Sequence, residues 1–187
     1  MNFCFGLTKK ECVVAKKELI VGGGCFWCLE AVFELLNGVE DVVSGYANGT
    51  MEDPDYRSVC TGETGHAEVV KITYDDEVIS TDDLLEVFFD IHDPTTLNRQ
   101  GADVGTQYRS TILYEDGETR EKAFRAKELA QNSYSSPIVT TIEPLDRFYP
   151  AEQYHQDYYR HNQTQGYCMA VISPKVEKLK KHFPDKL

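Results

Sequence analysis

No stretch of this sequence is apolar enough to cross a bilayer. The longest weakly polar run, residues 19–29, carries Gly22, Gly23 and Gly24 and falls short of the roughly 18 residues a span requires. No export signal is expected either, because residues 3–7 are too short for its apolar region and are soon followed by Lys9, Lys10 and Glu11. Basic residues are scarce: 19 Lys and Arg stand against 31 Asp and Glu, a net charge of −12 at pH 7. A nucleic-acid role is excluded on that ground, since phosphate contacts need a basic face. There is no internal repeat and no low-complexity stretch. With 41% hydrophobic residues, 11 Tyr and 9 Phe, the chain has the material for a core and does not read as disordered.

These absences make the cytoplasm the expected compartment, where thiols stay reduced. The six cysteines are then read as buried hydrophobes, metal ligands or working thiols rather than as a disulfide framework. Length suggests residues 1–15 as an N-terminal extension and residues 16–187 as a single catalytic domain.

Patterning predicts strands at 17–21, 39–46, 67–74, 109–114 and 138–142, each apolar or alternating and bounded by turn residues. Helices are predicted at 25–36, with Glu30 and Glu34 on a shared polar face, at about 81–91 behind the start signal Ser80-Thr81-Asp82-Asp83, and at 118–131. A Tyr-rich helix at about 151–161 and a Lys-rich one at 174–183 close the chain. Residues 47–65 and 97–107 read as loops. The order β-α-β-β-α-β between residues 17 and 114 is that of a ferredoxin-like split β-α-β sheet. The expected fold is therefore α/β (α+β), with helices packed on one face plus extra helices and long loops.

The sharpest local feature is Gly22-Gly23-Gly24-Cys25-Phe26-Trp27-Cys28-Leu29-Glu30. A cysteine where a glycine turn enters a helix meets free backbone N–H groups and the positive end of the helix dipole. Both favour thiolate and predict a lowered Cys25 pKa. Cys28, one turn on, is placed to close a disulfide. The bland reading is a buried helix with two hydrophobic cysteines. A zinc site would need a further suitably spaced pair, and Cys60 and Cys168 are isolated. Tyr56, Glu68, Asp103 and Tyr108 each lie in turn-rich segments beside predicted strand ends. Singly each reads as a solvated or structural residue, and only convergence on Cys25 would make a site.

Gly24-Cys25-Phe26-Trp27, Gly65-His66-Ala67-Glu68, Gly105-Thr106-Gln107-Tyr108-Arg109-Ser110 and Tyr154-His155-Gln156 stand in the order seen in the peptide-methionine (S)-S-oxide reductases. The chain resembles that family from about residue 18 to residue 168. The resemblance implies a ferredoxin-like core and reduction of the S epimer of methionine sulfoxide, free or in peptides and proteins. Cys25 is then the nucleophile and Glu68 the proton donor. Tyr56 and Tyr108 would donate hydrogen bonds to the sulfoxide oxygen, Phe26 and Trp27 form the cradle for the substrate methyl, and Asp103 helps orient the site. A sulfenic acid on Cys25 would condense with a resolving thiol, for which the resemblance offers Cys168 first and Cys28 as alternative or relay. No cofactor or metal is implied. The implied reductant is a thioredoxin-type protein, and the expected state is a monomer.

The chain departs from the family in its tail, where Lys-rich residues 174–187 replace a glycine-rich segment with a second distal cysteine. That puts a two-cysteine relay through the tail in doubt. Cys60 reads as structural, and Cys4 and Cys12 as incidental. Two rivals stand beside this reading: a thioredoxin-like disulfide oxidoreductase using Cys25-Phe26-Trp27-Cys28, and a non-catalytic metal- or protein-binding module.

Overall fold

The computed structural model describes residues 16–187; the expected N-terminal extension, with Cys4 and Cys12, lies outside the described residues. In chain order the elements are β1 (Lys16–Gly22), α1 (Phe26–Phe33), β2 (Val39–Ala47), α2 (Tyr56–Cys60), β3 (Ala67–Asp75), α3 (Thr81–Ile91), β4 (Arg99–Gln100), β5 (Asp103–Val104), β6 (Thr111–Tyr114), α4 (Gly117–Gln131), β7 (Thr141–Pro144), β8 (Phe148–Pro150), α5 (Tyr158–Asn162) and α6 (Ser173–His182). Single 3₁₀ turns cover Thr106–Tyr108, Gln153–His155 and Pro184–Lys186, and a π turn covers Cys168–Ile172. Among the described residues, no helix is long and apolar enough to cross a membrane.

One sheet carries six strands in the order β7-β6-β1-β3-β2-β8, and its inner four, β6-β1-β3-β2, reproduce the expected split β-α-β sheet. β1 runs antiparallel to β3 and β6, and β2 antiparallel to β3. The period-2 rule sorts the side chains. Leu19, Val21, Val42, Tyr46, Val70, Ile72 and Ile112 point to one face. There they meet Leu29 and Phe33 of α1, Leu84 and Phe88 of α3, Ala123 of α4 and Leu179 of α6 in the main core. The opposite face holds only a small cluster, Ile20, Ala47, Ala67, Val69 and Leu113, lidded by Leu145 and Phe148.

The start signal at Ser80 is a full capping box, in which Ser80 accepts from the Asp83 N–H and Asp83 bonds back to Ser80. Elsewhere tertiary partners overrule the local reading. The predicted loop at 47–65 contains α2, a five-residue helix too short for periodicity to reveal, held by an Asp55–Ser58 capping box. The loop at 97–107 contains the β4–β5 hairpin. The strand predicted from 138 starts at Thr141, parallel to β6, because the Val139 N–H is diverted to the Pro94 carbonyl. The strand predicted from 109 starts at Thr111, since the Arg109 backbone N–H is diverted to the Thr106 carbonyl. The Tyr-rich helix at 151–161 is broken in two by Asp157, which adopts φ 53°.

Candidate active site

Cys25 is the residue at which β1, after its glycine turn, enters α1. It sits in the N-cap position with φ −62° and ψ 127°, and the Cys28 N–H donates to its carbonyl at 3.1 Å. The turn needs its glycines. Gly24 has φ +95°, and a Cβ on Gly22 would stand 2.7 Å from the backbone oxygen of Glu68. This close approach sets the start of β3 directly beside the cysteine turn.

Glu68 projects from that strand end onto the helix-covered face, in register with Tyr46 of β2. It is 1% exposed, and the Phe26 N–H, the first of α1, donates to its Oε2 at 3.1 Å. Burial pushes its carboxyl up to about 8, over the opposing pull of the Phe26 N–H and with help from the Asp103 and Cys28 charges. At pH 7 the group is an acid holding a proton.

The thiols depart from the sequence expectation. Cys25 was expected to be lowered by the helix start; instead burial, then the hydrogen bond to Cys28 and the nearby Glu68, raises it. Its partner takes the opposite shift: the hydrogen bond from Cys25 brings Cys28 down to about 7, against the cost of burial. The Phe26 N–H goes to the carboxyl of Glu68 and not to sulfur. Cys25 is 7% exposed and Cys28 1%. Cys168, also buried, opens the π turn, and burial and the Cys28 charge raise its thiol. All four cysteines of the described residues are free thiols.

Tyr167, given no role from the sequence, is the hub between two expected site residues. Its hydroxyl donates to Asp103 Oδ2 at 2.8 Å and lies 3.9 Å from the Cys28 sulfur. Tyr108 is half-buried, its hydroxyl pushed up by burial and then by the Glu68 charge. Tyr56, half-buried at the start of α2, is raised by burial and by its hydrogen bond to Cys60, which is exposed rather than part of the core. The expected residues Cys25, Cys28, Glu68, Tyr56, Tyr108 and Asp103 therefore come from five chain segments to one place.

Phe26 and Trp27 play different parts. Phe26 is fully buried, packed against Tyr46 and His155 with ring centroids at 5.7 and 5.2 Å. Trp27 is only half-buried and is held on several sides. Its indole N–H donates to His155 Nδ1 at 3.2 Å, Tyr158 stacks on it at 3.7 Å and 6°, and Tyr167 meets it edge-on at 6.0 Å. Because Nδ1 accepts, His155 carries its proton on Nε2, which lies 3.9 Å from Glu152 Oε2. Burial pushes the imidazole down and keeps it neutral. Glu152 in turn accepts from the Tyr46 hydroxyl at 2.8 Å and from the Tyr56 N–H at 2.9 Å. His155 stood in a sequence motif without a role; Glu152 and Tyr158 had no signal at all.

Among the described residues, no group of three His, Cys, Asp or Glu is placed to hold a metal ion. A buried proton donor beside a thiol pair, walled by tyrosines and one tryptophan, is equipped for redox chemistry at sulfur.

Comparison with known proteins decides the family. The family model described as peptide methionine sulfoxide reductase matches residues 17–187. The chain belongs to that family. It is 56% identical over 178 residues to the peptide methionine sulfoxide reductase of Deinococcus radiodurans, covering 92% of this chain and 85% of the relative. Among solved structures it is similar to Mxr1 of Saccharomyces cerevisiae in reduced form, at 39% identity and TM-score 0.78, over 82% of this chain and 89% of that one. The same yeast protein in complex with Trx2 matches at 30% identity and TM-score 0.56, over 74% and 82% of the chains. Membership in the peptide methionine sulfoxide reductases makes the chain an oxidoreductase that uses thiols to reduce methionine sulfoxide, and disfavours the disulfide-exchanger rival.

Proposed function

We propose that this chain reduces the S epimer of methionine sulfoxide, free or in peptides and proteins, and so repairs oxidised proteins in the cytoplasm. The observation that carries the assignment of roles is the Glu68 carboxyl, buried, pushed up by that burial and anchored by the first N–H of the helix that Cys25 caps. A bare oxide is a poor leaving group, so sulfoxide reduction needs a proton delivered where the nucleophile attacks.

Cys25 is the more exposed of the two neighbouring thiols and is assigned as nucleophile. As its sulfur attacks the substrate sulfur, its proton passes to Cys28 and the Glu68 proton passes to the oxygen. The hydroxyl then moves from the substrate sulfur to the Cys25 sulfur as the new sulfur–sulfur bond breaks, leaving methionine and a Cys25 sulfenic acid. Tyr56 and Tyr108, kept as neutral hydroxyls by burial, donate to the oxygen while its charge changes. Trp27 is the wall against which the substrate methyl packs, with Phe26 behind it, and Asp103 orients the site through Tyr167.

A second thiol then attacks the sulfenic acid, forming a disulfide and releasing water. Its place one turn from Cys25, with its backbone N–H on the Cys25 carbonyl, favours Cys28 for this step, with the buried Cys168 as the next in line. Two electrons from a dithiol protein of the thioredoxin type restore the pair. That yeast Mxr1 has been captured with Trx2 supports this choice of reductant. The test supplies each sulfoxide epimer in a peptide with dithiothreitol to wild type and Cys25→Ser. Loss of the S epimer alone, abolished by the substitution, is the expected result; turnover of the R epimer, or full activity in Cys25→Ser, would overturn the assignment.

A further inference from the structure

The helical pattern of α1 places Glu30 with Glu34 on a solvated face, but Glu30 is 1% exposed. A carboxylate is tolerated there because three donors from distant segments converge on it: the Ser44 hydroxyl at 3.2 Å and the Asp157 N–H at 3.1 Å on Oε1, and the Tyr158 N–H at 3.1 Å on Oε2. The last two are the first N–H groups of α5, a five-residue helix with no side-chain cap of its own. So short a helix does not hold itself in water. Glu30 caps it from another helix. Tyr158, the first residue of α5, is the ring stacked on Trp27, and Trp27 and Glu30 lie three residues apart on the same side of α1.

We infer that Glu30 is a positioning residue for substrate binding: by capping α5 it fixes Tyr158 against Trp27 and so sets the shape of the apolar wall. The inference rests on the reading of Trp27 as that wall. Glu30 is not the only anchor of this segment. The Gln156 side chain bonds the Ser44 N–H and carbonyl and the Ala151 carbonyl, and Arg160 pairs with Glu34 at 3.0 Å. Loss of the Glu30 carboxylate therefore loosens the stacking without detaching the segment.

Trp27 is the only tryptophan, so intrinsic fluorescence reports on this contact without a label. Glu30→Gln keeps one acceptor oxygen but turns an N–H against an N–H, and cannot hold both Asp157 and Tyr158. The expected result is a shifted Trp27 emission and a roughly twofold or greater rise in acrylamide quenching. With dithiothreitol as reductant, KM for a sulfoxide peptide rises about tenfold while kcat stays within about threefold, the mark of lost binding that does not change along the reaction. A lower melting temperature with fluorescence and KM unchanged would overturn the inference. So would a fluorescence change with KM unchanged. Should Glu30→Gln fail to fold, Glu30→Asp, one methylene too short to reach both N–H groups, is judged by the same criteria. Trp27→Ala in the same assay separates the two readings. If it leaves KM unchanged, Trp27 is not the wall and both fall; if it raises KM while the Glu30 variants do not, only the role of Glu30 falls.

Discussion

The Phe26 N–H donates to Glu68 Oε2 at 3.1 Å, so the helix start that flanks Cys25 is spent on the neighbouring carboxyl rather than on the thiol. The activation expected of a cysteine at a helix N-terminus is thereby redirected. Proton donor and nucleophile are tied to successive residues, and any displacement of α1 moves both together.

Glu68→Gln removes the proton while leaving an acceptor for Phe26. Single-turnover formation of methionine, one equivalent per enzyme without reductant, falls by about 10²–10⁴-fold, the usual yield of general acid catalysis. In wild type the same rate declines as pH rises through about 8, where the Glu68 proton is lost. A wild-type rate that is flat to pH 9, or a Gln variant at full speed, contradicts the proton-donor role.

Cys28→Ser slows the first chemical step, because the acceptor for the Cys25 proton is gone, and stalls the enzyme as a sulfenic acid, which dimedone labels on Cys25. Cys168→Ser still forms the first disulfide, because Cys28 stands one turn from Cys25, its backbone N–H on the Cys25 carbonyl. Mass spectrometry of the oxidised, alkylated variants reads the outcome. A Cys25–Cys168 disulfide in wild type with none between Cys25 and Cys28 reverses the assignment.

Stability carries its own pH signature. Glu30 and Glu34 are both pushed up to about 7 by burial, and Glu68 to about 8. A carboxyl whose folded pKa lies above its unfolded value keeps a proton that the unfolded chain releases. Its favourable contribution is complete below about 4.5 and is lost as pH climbs through 7 to 8. The urea midpoint is therefore expected to decrease between pH 5 and pH 8. Glu30→Gln flattens that decrease, and a midpoint that rises with pH rules the linkage out.

Gly22→Ala puts a Cβ 2.7 Å from the Glu68 carbonyl oxygen, a backbone atom that moves only with its strand. The expected cost is about 1–3 kcal/mol, as for other overpacked sites. Activity is lost well beyond what the unfolded fraction explains, because Glu68 shifts with its backbone. Comparing melting temperature with kcat for the folded protein checks this.

What the sequence made legible follows from short-range rules. Alternation in residues 67–74 exposed β3 and its helix-facing side, and the glycine turn before Cys25 exposed the start of α1. The capping signal at Ser80 located α3. Each depends on neighbours a few residues away. Glu30, Glu152 and Tyr158 were not legible, and His155 stood in a motif without a role, because what defines them comes from afar. A glutamate at a polar helical position becomes a buried anchor only when Ser44, Asp157 and Tyr158 bring their donors to it. The Tyr-rich segment has helical composition throughout, yet Asp157 turns left-handed where Glu30 takes its N–H. The Cys25 thiol departs from its expected direction for a related reason, since its burial is a tertiary property and the acceptor that takes the Phe26 N–H stands 42 residues away.

Glu68 reaches the thiols only because β3 pairs with β1 in one register, Val21 against Val70, and with β2 at Tyr46 against Glu68. Side chains alternate along a strand, so a slip of one residue would turn the carboxyl to the opposite face of the sheet and leave Cys25 without an acid. The β1–β3 pairing joins segments some fifty residues apart and needs the central sheet closed, a slow step compared with forming α1 or the β2–β3 hairpin. During refolding, helix content should return before turnover does. Catalysis then serves as a read-out of strand alignment: a chain can be helical, compact and thiol-bearing and still be inert until its central pairs have settled.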